Sequence, residues 1–231
     1  MLPESPATTS RRHSLHTMTG SKVPPLAALA FIALYAIGTA FLGTPVPLDA
    51  SPEDTQAWLQ LRQDDIPVMV VSFALALIPF FVLVAWTRRA LPEVYGFAFL
   101  AASAAFVTQA AVVLWFYSGT AVHADTIDPQ TARSLLDVAS YFGPVLTTTV
   151  VVMAGAVGLA ALREGSFPTW FGWVTALFAA EQLAELATVY GDSGFAAPGG
   201  AWNNVLGAGL FGLWILMLGF VLSRRPAQAS A

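Results

Sequence analysis

Residues 67–86 read PVMVVSFALALIPFFVLVAW, twenty consecutive positions with no charged side chain and one serine. A helix needs about 20 mostly apolar residues to cross the hydrocarbon core of a bilayer. Five further apolar stretches flank this one, at 25–43, 95–118, 141–162, 168–190 and 201–222, separated by short polar connections. Across all 231 residues, 56% are hydrophobic and 10% charged, and the mean hydropathy is +0.66. Soluble domains carry about a quarter charged residues. The fold class that follows is all-α: a polytopic membrane protein with six spanning helices and no sizeable soluble domain. The chain has no cysteine, which removes disulfides, thiolate metal sites and Cys nucleophiles. A net charge of −4 offers no basic surface, so nucleic acid is not an expected partner; the lipid bilayer is.

Lys and Arg are shared unevenly between the connections. Arg11, Arg12, Lys22, Arg88, Arg89, Arg163, Arg224 and Arg225 fall on one side, and Arg62 and Arg133 on the other. The positive-inside rule then places both termini in the cytoplasm, with the bacterial inner membrane as the expected location. Residues 1–24 read as a disordered cytoplasmic tail with Met18 as an alternative start, 25–225 as a single six-helix domain, and 226–231 as a short cytoplasmic tail. The basic cluster Arg11-Arg12-His13 imitates a signal-peptide n-region. The apolar run after it exceeds the usual 7–15 residues of a signal h-region, so it is taken as a span.

Two connections echo each other. Leu91-Pro92-Glu93-Val94-Tyr95-Gly96-Phe97 and Phe167-Pro168-Thr169-Trp170-Phe171-Gly172-Trp173 share an apolar-Pro-x-x-aromatic-Gly-aromatic pattern. On the other side, Ser51-Pro52 and Asp128-Pro129 each set an N-cap residue before a proline. Spans two and three and spans four and five therefore read as a parallel hairpin repeat. Prolines and aromatics are also common at helix starts in any membrane protein, so the spacing alone does not require duplication.

Glu181 and Glu185 are the ionisable residues that fall within apolar stretches, both in the fifth. A charge at a helix centre costs about 2.5–3.5 kcal/mol on insertion scales, and such groups face a bundle interior or a wet cavity. Four residues apart, they share a helix face, and as a poorly solvated pair they form a candidate acid/base site. Counting from the cytoplasmic ends, Thr39, Ser72, Gln109, Thr147-Thr148-Thr149 and Glu181 fall at similar depth, a candidate polar layer. Tyr117, Tyr141, Asn203 and Asn204 lie above it. Hydroxyls in spanning helices also serve packing, by bonding their own backbone.

Other patterns carry less. Gly207-Ala208-Gly209-Leu210-Phe211-Gly212 matches G-x-G-x-x-G but lies in an apolar span with no preceding strand, so it reads as helix packing through Ala208 and Gly212, as do Ala154 and Gly158. His123, near Asp125 and Asp128, is alone in an external loop, and no metal site or cofactor is expected. Pro79 and Gly143-Pro144 are expected to kink their spans.

The stretch Ser51-Pro52-Glu53-Asp54-Thr55-Gln56-Ala57, Asp128-Pro129 before Ser134-Leu135-Leu136, the run Leu162-Arg163-Glu164-Gly165-Ser166-Phe167-Pro168-Thr169-Trp170-Phe171-Gly172-Trp173 and the ending over 214–225 together resemble a widespread set of uncharacterised six-helix membrane proteins of high-GC bacteria that carry a domain of unknown function. The resemblance covers about residues 25–225 and is most specific at Arg-x-Gly-x-Phe-Pro-x-Trp-x-Gly-Trp. It implies six helices in the inner membrane and no agreed activity. A largely apolar fifth span is the family's pattern, from which Glu181 and Glu185 depart.

Three functions compete. The first is a non-catalytic membrane component that binds a small apolar or lipid-like molecule in a helix-bundle cavity lined by Gln109, Tyr117, Tyr141, Thr148, Phe178, Trp202, Asn203 and Asn204. The second is an enzyme doing acid/base chemistry on an isoprenoid or lipid, with Glu181 as acid, Glu185 as its partner, and Trp115 and Phe116 added to the aromatic lining. Small membrane-bound terpene cyclases are similar in size, an analogy without a shared motif. The third is a proton-coupled transporter using the same pair.

Overall fold

The computed structural model describes residues 21–224. Residues 1–20 of the tail expected over 1–24, the tail expected over 226–231 and the alternative start at Met18 lie outside the described residues. Within them the chain is helical, with no strand. Helix α1 (Val23–Leu42) begins two residues before the expected boundary at residue 25, with Pro24 in its first turn, where a missing N–H matters least. The short α2 (Pro52–Arg62) leads through two turn residues into α3 (Asp65–Ala90). After α4 (Glu93–Val122), the short α5 (Pro129–Ser140) runs into α6 (Phe142–Glu164) with Tyr141 alone between them. Next comes α7 (Thr169–Glu185), prolonged by a 3₁₀ segment (Leu186–Tyr190). A π-helical turn (Trp202–Gly207) opens α8 (Ala208–Ser223).

The sequence signals at the helix ends act as read. The Ser51 hydroxyl accepts from the Asp54 amide at 3.0 Å and the Asp128 carboxylate from the Thr131 amide at 2.9 Å, with Pro52 and Pro129 at the first helical positions. Pro92 and Pro168 each occupy the N-cap position of the following helix, and each carbonyl accepts from the glycine four residues on. Gly165 closes α6 in the left-handed region at φ 62°, a conformation that a Cβ disfavours. Pro79 lies inside α3. Pro144 falls in the first turn of α6, so the break lies at the α5–α6 junction and not inside α6.

Five of these segments are long and apolar enough to cross a membrane: α1, α3, α4, the stretch Pro129–Glu164 that contains α5 and α6, and the π turn with α8. The expected sixth span, α7, has 17 helical residues before the chain tightens into 3₁₀ geometry. It also carries both glutamates. Large apolar side chains point outward on these helices, including Leu26, Ile78, Trp115, Leu177 and Leu213. A water-soluble bundle buries such a stripe; a bundle in lipid has no need to.

Going around the bundle, α1 packs on α3, α3 on α4, α4 on α6 and α6 on α7, while α8 touches α7 and returns to α1. The ring closes because α8 and α1 approach tightly at Gly219, where an added Cβ would meet Ala28 at 2.6 Å. Close packing at small residues and interhelical hydrogen bonds hold the ring together. Gly158 lies against Thr175 and the Gly172 carbonyl of α7, and Gly212 against Ile32 of α1, the small-residue seams expected from the sequence. The buried Trp214 indole donates to the Thr175 hydroxyl at 3.1 Å. Phe31, Phe80, Phe106 and Phe211 interlock with ring centres 5.2–6.1 Å apart.

Candidate functional site: a glutamate-walled chamber

Above the phenylalanine cluster the ring does not fill. A cavity of about 560 Å³ lies between the helices and reaches the loops over 43–48 and 194–201. All six long helices line it: Tyr35 from α1, Phe73 from α3, Phe106 and Tyr117 from α4, Thr147 from α6, Gln182 and Glu185 from α7, and Asn203 and Phe211 from the last segment. The lining is dominated by aromatic and aliphatic side chains, and a set of its polar groups joins in one wall formed by α6, α7 and the π turn.

That wall is a continuous hydrogen-bond chain. Glu185 is 3% exposed. Its Oε1 accepts from Asn203 Nδ2 at 2.5 Å and lies 3.4 Å from the Thr147 hydroxyl; its Oε2 accepts from Gln182 Nε2 at 2.7 Å. The same Gln182 nitrogen donates to Glu181 Oε2 at 3.0 Å, and Glu181 Oε1 accepts from the Trp202 indole at 3.0 Å. Asn203 is oriented from its other end, where Oδ1 accepts from the Gly199 amide at 3.1 Å. With the carbonyl so engaged, the amide nitrogen must face Glu185.

Helix geometry explains the division of labour. At about 100° per residue, Glu185 sits between Glu181 and Gln182 in projection along the axis, some 40° from Glu181. Glu185 turns into the chamber. Glu181 turns towards the seam beside Trp202, is only half-buried and does not line the cavity. The two acids thus share a face without sharing a proton directly, because an amide bridges them. The π turn completes the same wall: it presents Asn203 and Gly207 to Glu185, and a Cβ on Gly207 would overlap the Glu185 carboxylate. Single-turn π segments recur at functional sites because they re-aim side chains within a helix.

The remaining sequence candidates scatter. Tyr117 lines the chamber, and Asn204 borders it while donating to the Gly199 carbonyl. Trp202 belongs to the hydrogen-bond chain and stacks on Phe195, with ring centres 5.7 Å apart. Thr148 faces outward and bonds back to the Val145 carbonyl, so Thr147 is the member of that run that reaches Glu185. Phe178 packs against Trp214 in the core. Gln109, Tyr141 and Phe116 line a separate outer groove of about 280 Å³, and Trp115 is 70% exposed. Of the layer drawn from depth alone, Thr39 and Thr147 line the chamber while Ser72, Gln109, Thr148, Thr149 and Glu181 do not, because depth along a helix says nothing of azimuth. Gln182 and Tyr35 went unread in the sequence. Gln182 was legible from its place between the acids, whereas Tyr35 carries no local signal.

A second cluster shapes the mouth. Arg133 of α5, buried at 7% exposure, donates to the Pro47 carbonyl at 2.8 Å, to the Thr55 hydroxyl at 3.2 Å and to the Leu48 carbonyl, and pairs with Asp137 at 2.7 Å. One guanidinium fork ties the loop after α1 to α2 and α5. Among the described residues no three His, Asp or Glu side chains gather in a way that could hold a metal. A comparison of the chain with protein-family models, with curated proteins and with solved structures finds no match.

Proposed function

We propose that this protein is an integral membrane protein that binds a small apolar, lipid-like molecule in the chamber. One observation carries the reading: the cavity of about 560 Å³ is lined mainly by aromatic and aliphatic side chains, with one hydrogen-bonded polar wall at Glu185. Small-molecule sites commonly enclose about 300–1,000 Å³ and combine an apolar lining with a few placed polar groups. Purified in mild detergent and extracted, the protein should yield a bound apolar molecule by mass spectrometry. Ala110→Phe, which grows a ring from α4 into the chamber, should abolish that yield without lowering thermal stability. Equal yields from both proteins would reject the reading.

The membrane arrangement belongs to the same proposal: six spans in a bacterial inner membrane, both termini cytoplasmic, with the hairpins α3–α4 and α6–α7 as a parallel repeat, as the resemblance to the six-helix family implies. At about 1.5 Å per α-residue and about 2 Å per 3₁₀ residue, the 17 and 5 residues of α7 and its extension reach about 35 Å. That exceeds the roughly 30 Å hydrocarbon core. Reporter fusions after residues 55, 125 and 195 should read periplasmic, and those after 90, 165 and 225 cytoplasmic. A reversal at any point would remove the adjoining span.

Acid–base chemistry on an isoprenoid or lipid is the second reading. The burial of Glu185 against the chamber favours it and moves the acid from Glu181 to Glu185. Conversion of a supplied substrate that survives in Glu181→Gln and disappears in Glu185→Gln would support it.

A further inference from the structure

The chamber's one carboxyl group has no cationic partner. The lining includes one carboxylate, Glu185, and no Lys, Arg or His. Among the described residues the salt bridges are Arg62 with Asp65 and Arg133 with Asp137, so neither Glu181 nor Glu185 has a cationic partner. The hydrogen bonds suit the ionised form. A carboxylate only accepts, and both oxygens of Glu185 face amide donors from Asn203 and Gln182, the first held in orientation by the Gly199 amide. Buried intramembrane charges ordinarily pair with one another; here the pairing partner is missing from the wall. The rest of the lining is what an organic cation needs. Tyr35, Phe73, Phe106, Tyr117, Phe142 and Phe211 all border the cavity. Aromatic faces attract cations electrostatically, most strongly where water is excluded.

Building on the chamber as a ligand site, we propose that its occupant is a lipophilic organic cation, a bulky apolar body carrying one positive charge. The charge sits against Glu185, and the body lies among the six rings. The chemistry discriminates twice. A lipophilic anion would face an uncompensated carboxylate, and a neutral molecule of the same shape would leave that carboxylate unpaired.

Three tetrahedral probes of one shape test this: tetraphenylphosphonium, tetraphenylsilane and tetraphenylborate, with charges of plus one, zero and minus one. Each is titrated separately into the purified protein and read by tryptophan fluorescence. The expected result is that the phosphonium binds at least about tenfold more tightly than the silane, with the borate weakest. Glu185→Gln should erase that advantage while silane binding persists, which also reports that the variant is folded. Phe106→Leu should weaken the phosphonium more than the silane. If phosphonium and silane bind equally, and Ala110→Phe abolishes both, the charge inference fails and the apolar chamber stands. If the borate binds best, the charge inference fails with its sign reversed. If no probe binds, or all bind Ala110→Phe as they bind the parent protein, the chamber reading fails as well.

Discussion

Asn203 is the residue on which the polar wall turns, and its removal has a calculable consequence. Asn203→Ala deletes the 2.5 Å bond to Glu185 and the 3.4 Å contact to the Thr188 hydroxyl, and frees the Gly199 amide. Thr147 cannot substitute: its hydroxyl lies 3.4 Å from Glu185 but 2.9 Å from the Gly143 carbonyl, to which its one proton is directed. A hydrogen bond to a charged group contributes about 1.5–3 kcal/mol, whereas a neutral interhelical bond in a membrane averages about 0.6. We expect Asn203→Ala to destabilise the protein by about 2–3 kcal/mol. In a double-mutant cycle with Glu185→Ala, the coupling should be about 1.5 kcal/mol or more; with Glu185→Gln in place of the parent residue, it should fall to about 0.6. Reversible unfolding in mixed micelles, followed by tryptophan fluorescence, measures each corner. Sites that do not interact add to within about 0.3–0.5 kcal/mol. A coupling that small would refute the bond, and an unchanged coupling with Gln would refute the ionised carboxylate.

Gly207→Val should destabilise by about 1–3 kcal/mol through overlap with the Glu185 carboxylate, and Glu185→Ala in the same chain should relieve most of it in the same unfolding assay. Arg133→Met leaves the Pro47 and Leu48 carbonyls without their donor; faster hydrogen exchange over residues 43–50 is the expected signature, and Arg133→Lys should not restore protection, because an ammonium cannot reproduce the guanidinium fork. Thr148→Val, on the outward face, should change stability by less than about 0.5 kcal/mol. Thr147→Val, at a buried position that lines the chamber, should alter phosphonium binding more than Thr148→Val does, and equal effects of the two substitutions would argue against the inward position of Thr147.

The elements themselves were legible in the sequence. A twenty-residue apolar run at 67–86 falls within α3, because an uninterrupted apolar segment of that length and composition specifies a helix long enough to cross a membrane. Ser51, Asp128, Pro92 and Pro168 mark helix starts through contacts within four residues of themselves. The glutamate pair stood out for the same local reason, since a charge in an apolar run costs free energy wherever it points. Direction was a different matter. Nothing near residue 148 tells which of three consecutive threonines faces inward, and nothing near residue 181 says that its carboxylate meets an indole while Glu185 meets the chamber. Those outcomes depend on azimuth, which is fixed by where α7, α6 and the π turn pack and by the room left at Gly207. Tyr35 and Arg133 acquire their roles only through partners far along the chain. Hydropathy is a property of each residue and survives in one dimension; a cavity is a property of the gaps between helices and exists only once they have closed into a ring.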